Sequence, residues 1–242
     1  MALAINCDMG ESFGLYHLGD DDAIMPYISA ANVACGFHAS DFNHMRKTVQ
    51  SAKKFGVKVG AHPSLPDLQG FGRREMKMSR EELTNCIIYQ VGALKGFLEA
   101  EGMPLNHIKP HGALYGMAAR MEHVAHAVCD AADVFDVPLM GMINTLHEKI
   151  YGERGRRMIA EFYADLDYGD DGALIITRVH DAKDPAAAAA RSLRAVEEHK
   201  VLSIGGRDLP VRADTICVHS DTPNALDIAA AVRDAVKPYL AA

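Results

Sequence analysis

The 242-residue sequence lacks the features that would place the protein in a membrane, in a secretory pathway or on nucleic acid. Its start, MALAINCDMGES, has neither the basic segment nor the apolar run of a secretory signal, and no later stretch has about 18 uninterrupted apolar residues. No basic tract is present, and the formal net charge of -7 gives little support to a nucleic-acid partner. We therefore expect a soluble, cytoplasmic protein with no membrane and no nucleic-acid partner.

The cysteines form no framework either. The sequence has five cysteines, an odd number, at Cys7, Cys35, Cys86, Cys129 and Cys217, and no two of them form a CxxC pair. We expect reduced thiols, as is usual inside cells. Cys35 and Cys217 would act as nucleophiles only if their pKa were lowered, and a cysteine in a buried strand is more often a small apolar residue.

Four motifs that identify a cofactor site or a nucleophile are missing from the sequence. It contains no GxxxxGK[ST] phosphate loop, no GxGxxG after a strand, no HExxH on a helix and no GxSxG elbow. The chain therefore shows no self-contained nucleotide site and no compact metal motif.

What the sequence does contain is an alternation of strand and helix patterns. Three helices are predicted at 41–56, 79–102 and 184–200, each opening with a capping residue, and residues 201–215 predict a hairpin or loop. Seven short runs rich in strand formers are predicted at 3–8, 32–37, 58–63, 107–112, 138–143, 158–164 and 215–221.

This alternation predicts a parallel sheet, either open and doubly wound or closed into a barrel. Polar residues recur at the carboxyl ends of at least five predicted strands, spread over the whole chain. Such a spread is typical of a barrel, whose loops converge on one face, whereas an open sheet gathers its ligand contacts near one switch point. We therefore predict an α/β fold, a TIM-barrel-like seven-stranded (β/α) barrel, as a single domain over residues 1–242.

The first polar cluster lies at the end of the first predicted strand. Asn6 and Asp8 are two residues apart and share one strand face, and Glu11 begins the following loop. Asp8 suits a metal ligand or a base, although aspartate also commonly stabilises turns. Asn32 belongs to the second strand, and His38 follows that strand among small neighbours.

Two further clusters follow the third and fourth predicted strands. His62 ends the third strand, and a long loop after it carries Arg73 and Arg74, which suit a carboxylate or a phosphate as well as solvent. Lys109 and His111 are predicted to share a strand face, where the cation would lower the proton affinity of the imidazole.

The last predicted strand ends in a similar way. His219 and Asp221 are predicted to share a strand face, and Thr222 is predicted to begin a cap of the closing helix. Tyr115 is expected to lie just beyond the cluster of Lys109 and His111. The donors Asp8, His38 and His62 are candidate ligands for a divalent metal, and an acid–base cluster without metal fits equally well.

Long blocks of the sequence resemble the LamB/YcsF family: NCDMGESFG, MPYISAANVACGFHASD, GAHPSLPDLQGFGRREM, IYQVGALKGF, IKPHGALY and ADTICVHSDTP. The resemblance implies a seven-stranded barrel related to the polysaccharide-deacetylase fold. It also implies an ATP-dependent opening of the lactam of 5-oxo-L-proline to L-glutamate, with ATP as co-substrate and with partner subunits B and C. Helix patterns also allow a homo-oligomer without specifying its symmetry.

On this basis we assign expected roles to the clustered residues. Asp8 or one histidine would activate water, Lys109 and Arg73 would stabilise negative charge, and His219 with Asp221 would complete a proton relay. The expected catalytic residues are Asp8, His38, His62, Lys109 and His111. The expected substrate contacts are Asn6, Glu11, Asn32, Arg73, Tyr115, His219 and Asp221.

The sequence departs from the family pattern at three places. Ser40, Asp41 and Phe42 stand where the family has GDP, Leu166 stands where an arginine is expected, and the loop 176–185 is shorter. An altered anion contact makes a different lactam or cyclic amide an alternative substrate. Two further alternatives are a metal-dependent amidohydrolase that needs no ATP and a noncatalytic substrate-binding subunit.

Overall fold

A computed structural model describes residues 3–177 and 181–240, in which seven parallel strands form a closed barrel. The seven barrel strands are β1 (Ala4–Met9), β2 (Ala30–Ala34), β3 (Lys58–His62), β4 (Leu105–Ile108), β5 (Leu139–Gly141), β6 (Met158–Tyr163) and β11 (Thr215–His219). Four short strands lie outside the barrel in the described ranges: β7 (Asp167–Tyr168), β8 (Leu174–Ile175), β9 (Lys200–Leu202) and β10 (Asp208–Pro210). The barrel order is β1, β11, β6, β5, β4, β3, β2, while β7 with β8 and β9 with β10 form antiparallel pairs.

The helices cover the outside of the barrel. They are α1 (Asp21–Ile24), α2 (Phe42–Phe55), α3 (Arg80–Glu101), α4 (Gly112–Ala118), α5 (Glu122–Phe135), α6 (Leu146–Glu153), α7 (Pro185–Glu197) and α8 (Ala225–Val236), with 3-10 turns at Met25–Tyr27 and Lys237–Tyr239. Their apolar faces pack on the strands, as the buried Ile87, Val91 and Leu94 of α3 illustrate.

The predicted helix starts agree with the structure, whereas the third predicted helix ends at Glu197 and Lys200 belongs to β9. Asp41 caps α2 through its side chain, Asp184 caps α7 in the same way, and Ser79 forms a capping box with Glu82 at the start of α3. Gly56 ends α2 in the left-handed conformation that favours glycine.

The register of β1 brings polar residues of three strands together. Asp8 lies beside His219 of β11 on one side and beside Asn32 of β2 on the other. Asn6 and Asp8 both direct their side chains into the barrel, where each contacts Asn32. The predicted shared face of Asn6 and Asp8 is therefore confirmed.

All seven predicted barrel strands and the hairpin at β9 and β10 are confirmed, but most of the strands end earlier than predicted. In β4 and β11 the early end moves predicted site residues off the strand. The strand β4 ends at Ile108, because Pro110 interrupts the ladder, so Lys109 and His111 lie in the loop after the strand. Backbone hydrogen bonds still connect both residues to the chain around β3; the Lys109 N–H, for example, donates to Ala61 O at 2.9 Å. The prediction that they share a strand face is wrong.

The end of β11 differs from the prediction in a similar way. The strand ends at His219, and a turn in which the Thr222 N–H donates to His219 O places Asp221 beyond the strand. His219 and Asp221 therefore do not share a strand face. Thr222 does not cap the last helix, because α8 begins at Ala225 and its cap position is Asn224.

No helix in the described ranges, 3–177 and 181–240, is both long and apolar enough to cross a membrane. The predicted short loop 176–185 lies partly outside these ranges.

Candidate active site

Asp8 lies at the centre of a buried polar cluster at the carboxyl end of the barrel. Its Oδ1 accepts hydrogen bonds from Asn32 Nδ2 and from Lys109 Nζ, both at 2.8 Å. Its Oδ2 lies 3.2 Å from His62 Nε2 and 3.7 Å from His219 Nε2. Burial disfavours the carboxylate, but the nearby His62 and Lys109 outweigh burial and hold the pKa of Asp8 well below its usual range.

A second layer of side chains fixes the orientation of Asp8. Asn32 Nδ2 also donates to Asn6 Oδ1 at 2.7 Å, and Asn6 Nδ2 donates to Thr215 Oγ1 at 2.8 Å. His107 Nε2 lies 2.6 Å from Asn32 Oδ1, and burial lowers the pKa of His107 to about 3. Asn6 and Asn32, expected as substrate contacts, thus have buried protein partners and position Asp8.

The ammonium of Lys109 is surrounded by acceptors from three strands. It lies 2.8 Å from Asp8 Oδ1, 2.9 Å from Glu161 Oε1 and 3.1 Å from Cys217 Sγ. Burial opposes the charge, but Asp8, Cys217 and Glu161 outweigh it and raise the pKa of Lys109 well above its usual value. Lys109 is therefore a permanent cation inside the barrel. Burial raises the pKa of the Cys217 thiol, which argues against a nucleophilic role.

Two histidines contact each other beside Asp8. His62 Nδ1–H donates to Lys109 O at 2.7 Å, and His111 Nε2–H donates to Phe71 O at 2.8 Å. The remaining nitrogens, His62 Nε2 and His111 Nδ1, are 2.9 Å apart. Burial and the neighbouring His38 and His62 lower the pKa of His111, so the predicted lowering occurs but Lys109 is not its main cause.

His38 and Glu11 form a pair on the other side of His111. His38 Nε2 lies 3.1 Å from Glu11 Oε1, and the His38 ring stacks on His111 with centroids 3.7 Å apart and planes at 5°. Burial lowers the pKa of His38 well below its usual value, and burial together with Asp221 and Asp8 raises the pKa of Glu11. A neutral imidazole thus faces Glu11.

His219 takes its partner from the end of β6 and not from its own strand. His219 Nδ1 and Asp165 Oδ1 are 2.8 Å apart, and the His219 backbone N–H donates to Asp165 Oδ2 at 2.8 Å. Burial disfavours the imidazolium, but Asp165 outweighs it and raises the pKa of His219. The expected relay partner, Asp221, instead forms an ion pair with Arg73, whose Nη2 lies 2.7 Å from Asp221 Oδ2.

The two neighbouring arginines of the β3 loop point to different places. Arg73 is buried at the site with Asp221, whereas Arg74 is half-exposed and pairs with Asp67. The two guanidinium groups therefore do not act together on one anion.

Two cavities adjoin this cluster. The smaller, of about 30 Å³, is lined by Asp8, His62, Lys109, His111 and His219 among others, and a volume of about 30 Å³ corresponds to one water molecule. The larger, of about 330 Å³, shares three lining residues with the smaller and has Glu161 in its wall. The shared residues are Tyr115, Leu174 and Ile176.

Comparison with known proteins places the chain in a family. The model of the LamB/YcsF family matches residues 3–239. The chain belongs to the LamB/YcsF family. It is 46% identical over 234 residues to the 5-oxoprolinase A subunit from Bacillus licheniformis, covering 95% of this chain and 92% of that protein. It is 44% identical over 238 residues to the 5-oxoprolinase A subunit from Staphylococcus haemolyticus, covering 97% and 95%.

Solved structures give the same assignment. This LamB/YcsF chain superposes on the Lactam Utilization Protein from Thermus thermophilus with a TM-score of 0.91, at 44% identity over 98% of this chain and 97% of that one. Peptidoglycan deacetylase PdaC from Bacillus subtilis overlaps with a TM-score of 0.44 at 9% identity, covering 98% and 83% of the two chains. The similarity to PdaC is too low to support any conclusion about the chemistry of this site.

The departures from the LamB/YcsF pattern have structural counterparts. Ser40, where the resemblance predicts glycine, adopts a positive φ of 73°, a conformation that favours glycine. Asp41 nevertheless caps α2, with its Oδ1 accepting from the Asn43 N–H at 2.7 Å. Leu166, where an arginine is expected, is buried and lines the smaller cavity.

Sequence reasoning missed several members of the site. Glu161 and Tyr163 lie on β6 and Asp165 follows it, and all three contact residues of the cluster. A signal was present, because these three polar or aromatic residues occupy alternate positions at the end of a predicted strand. His107 was also missed, although it lies two residues before Lys109 in a predicted strand.

Proposed function

We propose that this protein is the A subunit of an ATP-dependent 5-oxoprolinase, which opens the lactam of 5-oxo-L-proline to L-glutamate as ATP is converted to ADP and phosphate. The observation that carries the proposal is the buried Asp8 and Lys109 pair beside a water-sized cavity. The relatives that bear the name of the 5-oxoprolinase A subunit supply the substrate class. Subunits B and C are the proposed partners, as the name of those relatives implies further subunits.

Lactam hydrolysis needs a water that attacks the carbonyl carbon, a stabilised oxyanion and a proton for the departing nitrogen. In the proposed reaction, Asp8 aligns the water and accepts its proton through Oδ2. Its low pKa makes it a weak base, so the electrophile must be activated. Transfer of the terminal phosphoryl group of ATP to the amide oxygen supplies this activation and releases ADP. Attack of water and cleavage of the C–N bond then give an acyl phosphate, which a second water hydrolyses to the carboxylate and phosphate.

Cations near the cavity suit the developing negative charge. Lys109 and Arg73 line the smaller cavity, and both are buried, where an electrostatic contact is stronger than in water. Asp165 raises the pKa of His219 and so favours its protonated form, and His219 lies in the same wall, so it is placed to protonate the ring nitrogen as the C–N bond breaks.

The larger cavity is the proposed place for the body of the substrate. Its volume of about 330 Å³ falls at the lower end of small-molecule sites, which run from about 300 to 1,000 Å³. Tyr115 lines both cavities, so a ring held in the larger one would lie beside the water-sized cavity that Asp8 lines.

The test is production of glutamate and ADP from 5-oxoproline by this protein, alone and mixed with cognate subunits B and C, with and without ATP. We expect coupled formation of glutamate and ADP only in the complete mixture with ATP. A complete mixture that assembles but forms no glutamate would refute it, and glutamate without ATP would favour the amidohydrolase alternative.

One observation favours a second candidate, hydrolysis of a different lactam. Leu166 gives the smaller cavity an apolar wall where the family pattern has an arginine. A lactam without a carboxylate, such as 2-pyrrolidinone, would fit this wall better than 5-oxoproline. Faster turnover of 2-pyrrolidinone than of 5-oxoproline, with the preference reversed by Leu166→Arg, would support this candidate; the opposite preference in the unmodified protein would remove it.

A further inference from the structure

Three potential ligand atoms converge beside Asp8. His62 Nε2 lies 2.9 Å from His111 Nδ1, and His111 Nδ1 lies 3.8 Å from Glu11 Oε1. All three side chains are buried, and they belong to a group whose ligand atoms lie within 4.8 Å of one another. They come from three different segments, the ends of β1, β3 and β4 and the loops that follow, so their convergence is a property of the barrel and not of one local motif.

The hydrogen bonds of the two histidines determine which nitrogens carry lone pairs. His62 uses its Nδ1–H on the Lys109 carbonyl, and His111 uses its Nε2–H on the Phe71 carbonyl. The other ring nitrogens, His62 Nε2 and His111 Nδ1, face each other at 2.9 Å, and His62 Nε2 also lies 3.2 Å from Asp8 Oδ2. Either a shared proton or a metal ion can bridge two such nitrogens, and these are the two ring atoms that a metal ion would use.

We propose that Glu11, His62 and His111 bind one divalent transition-metal ion, with Zn²⁺ as the best match to two imidazoles and a carboxylate. Catalytic zinc sites commonly use this donor set and leave a position open. With metal–ligand bonds of about 2.0–2.1 Å, two ligand atoms of one ion lie at most about 4.2 Å apart. The distances of 2.9 and 3.8 Å both satisfy this limit.

The outer contacts of the two histidines support the assignment. A metal-bound histidine almost always donates its other ring N–H to a carbonyl or a carboxylate, which fixes its tautomer and orientation. His62 and His111 each make such a bond to a backbone carbonyl.

The geometry removes His38 from the expected set of metal ligands. A ligated metal lies close to the plane of the imidazole, but the His38 and His111 planes are parallel within 5° with centroids 3.7 Å apart. One ion cannot lie in both planes. His38 instead contacts Glu11 at 3.1 Å and serves as a positioning residue for that carboxylate.

Asp8 belongs to a second potential group, with Cys217 and His219, which the structure already provides with a cation. The Lys109 ammonium lies 2.8 Å from Asp8 Oδ1 and 3.1 Å from Cys217 Sγ. A metal ion there would meet a buried positive charge at close range, so this second group is disfavoured.

The inference goes beyond the proposed function, because metal binding is measured without any lactam or partner protein. The full chain is loaded with Zn²⁺, dialysed and analysed for metal, beside Glu11→Gln, His62→Ala and His111→Ala. Since His62→Ala removes packing and can unfold the chain, Glu11→Gln is the decisive variant. His44→Ala is the matched control, because His44 and His17 form a more accessible histidine pair with rings 6.1 Å apart.

The expected result is about one Zn²⁺ per chain in the unmodified protein and in His44→Ala, and at least a tenfold weaker binding in Glu11→Gln and His111→Ala. Loading with Co²⁺ provides a second readout, since its visible absorption reports ligands directly and should change in the same variants. Zinc content well below one equivalent in the unmodified folded protein would overturn the proposal, as would equal binding by the unmodified protein and Glu11→Gln. Failure of 5-oxoproline turnover, by contrast, leaves these measurements unaffected.

Discussion

The Nζ atom of Lys109 lies 2.8 Å from Oδ1 of Asp8, which links the loop after β4 to the strand β1 across the interior of the barrel. The same ammonium lies 2.9 Å from Glu161 on β6. One buried cation thus pairs with two buried carboxylates contributed by distant segments. A cluster of this kind depends strongly on each member, because removing one leaves the others buried without compensation.

We predict that Lys109→Met destabilises the fold strongly, since Asp8 and Glu161 lose their shared cation. The expected loss in the free energy of unfolding is about 3–5 kcal/mol, measured by urea denaturation at neutral pH. Adding Asp8→Asn to Lys109→Met should recover part of this loss, because one uncompensated charge is removed.

Lys95→Met is the matched control for this prediction. Lys95 pairs with Glu99 on the exposed face of α3 at 3.6 Å, so its loss should change stability by less than about 0.5 kcal/mol. A loss under about 1 kcal/mol for Lys109→Met would contradict the account of the buried cluster.

The sequence predicts the barrel strands well, because short runs of strand formers alternate with capped helices over the chain. It also places Asn6 and Asp8 on one face, since period-two alternation is a local property. It does not predict which distant groups pair. Arg73 forms an ion pair with Asp221, which lies 148 residues further along the chain, and does not act together with its neighbour Arg74. Such pairings depend on strand order and register.

The same reason explains why the partners of Lys109 and His219 were missed. Glu161 and Asp165 lie on or just after β6, and their roles follow only from the closure of the barrel, in which β6 is the neighbour of β11. In the sequence, their alternate positions at the end of a predicted strand mark these carboxylates as candidates, but nothing there shows which residues they contact.

Replacement of Ser40 by glycine should stabilise the protein. Ser40 holds a left-handed φ of 73°, which costs a residue with a side chain about 1–2 kcal/mol. Part of the gain is offset by the flexibility of glycine in the unfolded chain, so we expect a net gain of about 0.5–1 kcal/mol in thermal or urea unfolding. Ser40→Ala removes the hydroxyl but keeps the strain, and it should show no gain; equal gains in both variants would contradict the backbone explanation.

Replacement of Asp41 by alanine should weaken the start of α2. The carboxylate accepts from the backbone N–H groups of Asn43 and His44, so we expect a loss of about 1 kcal/mol in urea unfolding, and Asp41→Asn should retain much of the cap.

The effect of Asp41 should also depend on pH. Burial opposes the carboxylate, but the backbone N–H groups of Gly14, His44 and Asn43 together outweigh it and lower the pKa of Asp41. A lowered folded pKa gives stability that is present above the unfolded value, about 3.9, and is lost as the pH falls through the folded value. The stability difference between the unmodified protein and Asp41→Ala should be constant from about pH 7 to 5 and shrink below about pH 4; a difference that grows in acid would be inconsistent with this sign.

Two glycines give opposite predictions for substitution by alanine. A methyl group at Gly60, inside the barrel on β3, would overlap the ring of His107, so Gly60→Ala should cost at least about 1–3 kcal/mol. A methyl group at Gly92 on the exposed side of α3 meets no atom within 4 Å, so Gly92→Ala should stabilise by about 0.5–1 kcal/mol. Differential scanning calorimetry of both variants checks the contrast, and tolerance of Gly60→Ala would mean that His107 does not fill the barrel as described.

The proposed role of Asp8 is tested by the rate of glutamate formation from 5-oxoproline and ATP in the complete complex that carries Asp8→Asn in this chain. Circular dichroism and assembly with subunits B and C are checked first, so that a folded variant is compared with the unmodified protein. We predict intact assembly and a rate reduced by about 10²–10⁴-fold, because Asp8 is proposed to align the water and accept its proton. A folded, assembled Asp8→Asn complex with a rate close to that of the unmodified complex would contradict it.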